Sequence, residues 1–208
     1  MNGSRPAAAA LIAANLLVVA MAFAFGWSLY SLLMSYWLEL AIIGTYTLLK
    51  MAFASEKGEL GKSRSYQGIF FIAHYATFVM LYAVLSRIWI VGTDAGVDGA
   101  IGVLLAFPIF VASHGLSFKL NYIDGKETAQ RTSLLQMVEP YKRVLPVQTV
   151  VVVGAFVVLK LGESAATLAF LATAKLITDV LAHNFAHRNV TRPKGTKDSA
   201  IEVQGPRL

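Results

Sequence analysis

Residues 29–51, LYSLLMSYWLELAIIGTYTLLKM, decide how the rest of the chain is read. The run is apolar over the about 20 residues that an α-helix needs to cross the hydrocarbon core of a bilayer. Its one acidic side chain, Glu39, lies in the interior of the run, and Lys50 stands near its end. An ionisable group inside a bilayer is costly, so Glu39 is a functional-site candidate.

Five further segments have the same character: 6–25, 68–90, 99–118, 144–161 and 164–187. Gly26-Trp27-Ser28 makes a tight reversal between the first two. The whole chain is 56% hydrophobic and only 14% charged, with a mean hydropathy of +0.60. A soluble domain carries about 25% charged residues. The class expected is therefore all-α, a polytopic membrane bundle of six helices within residues 1–190. Residues 191–208 then form a flexible polar tail. The apolar run after Arg5 is longer than the about 7–15 residues of a signal peptide's core, so it counts as a helix.

There is no cysteine, which excludes disulfides, thiolate metal sites and cysteine nucleophiles. The net charge of +6 fits lipid headgroups better than nucleic acid, because the charges cluster at segment ends and in the tail. Basic-rich and basic-poor connections alternate. Arg5 precedes the first segment, and the first turn has no basic residue. The second connection has Lys50, Lys57, Lys62 and Arg64, and the third has Arg87. The fourth has Lys119, Lys126, Arg131, Lys142 and Arg143, and the fifth has Lys160. Arg188, Arg192, Lys194, Lys197 and Arg207 follow the last segment. Positive residues stay inside, so both termini are expected in the cytoplasm and the protein in the inner (plasma) membrane. In the fourth connection, residues 132–138 are expected to form a short interfacial helix that Pro140 ends.

At about 1.5 Å per residue, Glu39 lies roughly 16 Å from the inner surface, His74 and Asp179 about 12 Å, His114 and Gln148 about 7 Å, and His183 about 6 Å. Lys175, Asp179, His183 and His187 recur at four-residue intervals and so share one helix face. That stripe needs a polar or watery environment, which lipid does not offer. His187, at the helix end, reads as an interfacial residue. His74, His114, His183 and Asp179 form the candidate metal set, for a divalent ion such as zinc. Glu39 or Asp179 is the candidate water-activating base. Each also has a plainer reading: the histidines as interhelical hydrogen bonders, and Glu39 as the ion-pair partner of Lys175.

Several blocks carry a resemblance. They are Tyr36-Trp37-Leu38-Glu39 with Ile42-Ile43-Gly44 and Lys50-Met51, Phe70-Phe71-Ile72-Ala73-His74-Tyr75, and Ser113-His114-Gly115-Leu116-Ser117-Phe118. Arg143 and the trio Lys175, Asp179 and His183 complete the set. Together they resemble an uncharacterised family of small polytopic bacterial and archaeal membrane proteins, a domain of unknown function, and that resemblance implies no activity. His183-x-x-x-His187 with Asp179 is more loosely similar to the intramembrane metal-dependent hydrolases of the adiponectin-receptor and ceramidase type, as chemical analogy only.

Three functions follow as expectations. The first is a metal-binding membrane protein, with hydrolysis as its chemistry. The second is a proton or ion channel or transporter built on the same polar cluster. The third is a non-catalytic bundle that homo-oligomerises or scaffolds a partner, with haem ligation by paired histidines as a minor variant.

Overall fold

The computed structural model describes residues 4–54, 64–89, 97–125, 132–142, 144–146, 149, 153, 157, 160, 162 and 164–188. Side chains at 4, 5, 64, 87–89, 97–99 and 182–188 are left out of the description. Arg143, Gln148, most of the expected fifth span and the 191–208 tail lie outside the described residues.

The regular elements of the described residues are helical. α1 covers Ser4–Ala24, α2 Leu29–Phe53, α3 Arg64–Trp89 and α4 Val97–Ser117. α4 runs on into a π-helical turn, Phe118–Ile123. α5 covers Ser133–Val138 and α6 Ala165–Arg188. Among the described residues, four stretches are long and apolar enough to cross a membrane: Pro6–Ala24, Leu29–Phe53, Ser65–Ser86 and Ala100–Ile123.

The reversal after α1 uses Gly26 at φ 61°, a left-handed conformation that glycine adopts without Cβ strain. Ser28 then restarts the helix, its hydroxyl accepting from the Ser31 amide at 3.2 Å. That satisfies one of the donors a helix start leaves open.

α2 is the axle of the bundle. α3, α4 and α5 pack against it, while α1 packs on α4 and α6. Aromatic side chains with polar tips tie the helices together. Trp37 Nε1 donates to the Val79 carbonyl at 2.9 Å. Tyr75 and Tyr82 donate from α3 to the carbonyls of Leu40 and Leu33, at 2.8 and 3.0 Å. On the opposite side, Tyr46 donates to Val111 of α4 at 3.1 Å. Gly44 makes room for Tyr75: a Cβ there would lie 2.5 Å from the ring.

The short helix expected at 132–138 is present as α5, with Thr132 capping it by accepting from the Leu135 amide at 3.4 Å. Ser133 and Gln136 are fully buried, while Leu134, Leu135 and Val138 face outward. The chain then turns inward, and Tyr141 packs among Phe71, Tyr75 and Phe78 of α3.

Gly44→Val should lower the stability of the purified protein in detergent by about 1–3 kcal/mol, the usual cost of overpacking. Gly68→Ala, where an added Cβ meets nothing within 4 Å, should leave the thermal midpoint near the parent value.

Candidate functional site

Among the described residues, five polar side chains meet inside the bundle. Asn15 comes from α1, Glu39 from α2, His114 from α4, and Lys175 and Asp179 from α6. Asn15, Glu39, Lys175 and Asp179 are each 2% exposed, and His114 is 8% exposed. Their meeting follows from helix geometry. Lys175 and Asp179 are one turn apart on α6, and their charged ends lie 2.6 Å apart. Asn15, Glu39 and Lys175 each sit near the middle of their own helix.

Lys175 is the hub. An ammonium carries three donors and no acceptor. Its Nζ donates to Asn15 Oδ1 and to Glu39 Oε2 and is paired with Asp179. The three partners come from three helices. Asn15 is oriented for this by its own amide, which donates to the Leu11 carbonyl at 3.0 Å. The rings of Tyr36 and Phe110 stand 4.8 and 5.5 Å from Nζ, within range of cation–π attraction.

Glu39 uses its second oxygen for a different helix. Oε1 lies 3.2 Å from His114 Nε2. An ionised carboxylate only accepts, so this nitrogen is the one that carries the proton. His114 also lines a cavity of about 60 Å³ between α2, the end of α4 and the α5 segment. A hydrogen-bonded chain therefore runs from that cavity through His114 and Glu39 to Lys175.

Of the residues expected in the site, Glu39, His114 and Asp179 are brought together, with Lys175 as the link. His74 is elsewhere. It is exposed on α3, stacked on Phe70 and edge-on to Phe78. Its Nδ1 is 2.7 Å from the Tyr141 hydroxyl. Burial pushes the Tyr141 phenol above its ordinary pKa, so it keeps its proton at neutral pH. The side chains of His183 and His187 lie outside the described residues.

Among the described residues, no three of the His, Asp and Glu side chains stand together as a metal site needs. The described carboxylates of the cluster already face an ammonium, and that fixed positive charge opposes a divalent cation.

Asn15, Tyr36 and Gln136 were not singled out from the sequence as site residues. Asn15 had a signal, since it interrupts the apolar run 6–25 and such polar residues bond across helices. Tyr36 and Gln136 had none, because a tyrosine within an apolar helix and a glutamine in a connection are common.

The chain belongs to a family of unknown function, DUF6498, whose model matches residues 1–196. It matches no curated protein and no solved structure.

Lys175→Met should cost about 3–5 kcal/mol, because it leaves two buried carboxylates without their counter-charge. Adding Glu39→Gln and Asp179→Asn to that variant should recover most of the loss. Unfolding of the single and triple variants in the same detergent checks this.

Proposed function

We propose that this member of a family of unknown function is a proton-conducting integral membrane protein, in which Glu39 carries the proton and His114 delivers it. One observation supports this above the others. Glu39 accepts at the same time from Lys175 in the centre of the bundle and from a histidine that lines a cavity.

Intramembrane ionisable residues mark ion and proton pathways. The charges of Glu39, Asp179 and Lys175 sum to −1. One added proton, on His114 or Glu39, makes the buried set neutral. His114 takes a proton from the cavity side and passes it along its bond to Glu39. A neutral Glu39 holds Lys175 less strongly, and Lys175 is then held by Asp179 and Asn15. Release of that proton to water on the opposite side of the membrane deprotonates Glu39 and restores the pair. Each cycle changes how α2 is tied to α6, which is the kind of discrete rearrangement that lets a buried site serve two sides in turn.

The frame for this reading is a bundle of six spans with both termini cytoplasmic, in the plasma (inner) membrane. The alternating Lys and Arg counts of the connections support it, as do the four long apolar helices and the 24 residues of α6. In that orientation, Lys50 and Lys142 put the cavity on the cytoplasmic side.

Protein reconstituted in liposomes should dissipate an imposed pH gradient. Glu39→Gln should slow this by on the order of 10- to 100-fold, as expected when a proton-transfer group is removed. His74→Phe, away from the cluster, should conduct like the parent. A parent protein no faster than empty liposomes, or an unimpaired Glu39→Gln, would overturn the reading. The third reading, a purely structural bundle, predicts the first of these outcomes.

A further inference from the structure

α3 has two faces of different kinds. Phe71, Tyr75, Val79 and Tyr82 are buried, and the two tyrosines bond to α2. On the outward side, Phe70, His74, Thr77, Leu81 and Val84 are all exposed. Their spacing alternates four and three residues, as in the seam between two helices packed side by side. A wall facing lipid would accept four of the five. It does not accept an imidazole.

His74 also stands deep. Within the apolar stretch Ser65–Ser86, it lies roughly 14 Å along the helix from one end and roughly 18 Å from the other. A hydrocarbon core is about 30 Å thick, so in a bilayer neither headgroups nor bulk water come within reach of so short a side chain. The ring is held in place. Phe70 stacks on it with centroids 5.4 Å apart, Phe78 meets it edge-on at 5.3 Å, and Nδ1 lies 2.7 Å from the Tyr141 hydroxyl. Among the described residues, Nε2 has no hydrogen-bond partner. A polar nitrogen fixed on a wall that faces lipid calls for a partner on another helix.

We infer that this seam is where the protein pairs with a second copy of itself, the two α3 helices running parallel and the two His74 rings bonding to each other through Nε2. A two-fold axis along the membrane normal brings each seam residue opposite its own copy at equal depth. Neutral imidazole is able to bond to itself, because one ring donates from Nε2–H and the other accepts at Nε2. The Tyr141 hydroxyl serves both rings: it donates to Nδ1 of the first and accepts from Nδ1–H of the second. A single polar residue in an otherwise apolar seam fixes register and the number of helices that associate. Thr77 spends its proton within its own helix, on the Ala73 carbonyl 2.9 Å away, so it brings no unmet donor to the interface. The inference does not depend on proton conduction, since His74 stands apart from the Glu39–Lys175 network.

The experiment uses the full-length protein in liposomes. The chain has no cysteine, so single cysteines report cleanly. Under mild oxidation, Thr77→Cys and Leu81→Cys, in the seam, should form disulfide-linked dimers. Ile72→Cys, exposed but turned away from the seam, should not. Energy transfer between fluorophores at the C-terminus, followed as the protein is diluted with lipid, gives the dissociation constant. His74→Phe should weaken pairing by about 3- to 30-fold, the range that one interhelical hydrogen bond covers in membranes, while keeping the parent's helix content. His74→Gln, whose amide also both donates and accepts, should stay within about 3-fold of the parent. A seam covered by lipid, or by another segment of the same chain, would leave all three cysteines unlinked and overturn the inference. Ile72→Cys linking as readily as Thr77→Cys, or His74→Phe pairing as tightly as the parent, would overturn it as well.

Discussion

A buried ammonium has three hydrogens to place, and Lys175 places them on three helices. Asn15, Glu39 and Asp179 together meet that demand, and the remaining packing is arranged around it. α1 supplies the amide, α2 the carboxylate, and α6 the lysine together with its neighbour one turn on. The aromatic faces of Tyr36 and Phe110 close the sides. Removing Lys175 strands two carboxylates in an apolar interior, a far larger penalty than the loss of a surface ion pair.

Such a network is a poor way to gain stability, since well-packed apolar side chains of similar volume often do as well or better. Its value lies in what it can exchange. Glu39 stands between two donors of different kinds. Lys175 is an ammonium held inside the bundle, whereas His114 carries an imidazole, a group able to take up and pass on a proton, and borders a cavity. Among the described residues, a carboxylate in that position is joined through His114 to a cavity. A buried carboxylate bonded to a histidine that borders a cavity is the arrangement on which the proposed proton relay rests.

The helices were legible in the chain because long apolar runs have few other uses, and the residues that break them stand out. Glu39, Lys175 and Asp179 could be marked as partners from charge and four-residue spacing alone. What could not be read was which faces meet. His74 and His114 look alike in sequence, each a histidine within an apolar segment. Yet one turns toward Tyr141 on the outer side of α3 and the other toward Glu39. Helix rotation about its own axis decides that, and depth counting carries no information about rotation. The short helix expected after α4 is present, and what its sequence did not reveal is which face turns inward: Ser133 and Gln136 are buried while Leu134, Leu135 and Val138 are exposed.

The central claim is that Glu39 exchanges its proton through His114. Infrared titration of the protein in lipid nanodiscs reads this directly, because a protonated carboxyl group and a carboxylate absorb at different frequencies. A carboxyl band that appears on acidification, vanishes in Glu39→Gln and responds far more slowly in His114→Leu is the result expected. A Glu39 signal that ignores bulk pH, or that follows it equally fast without His114, would contradict the account.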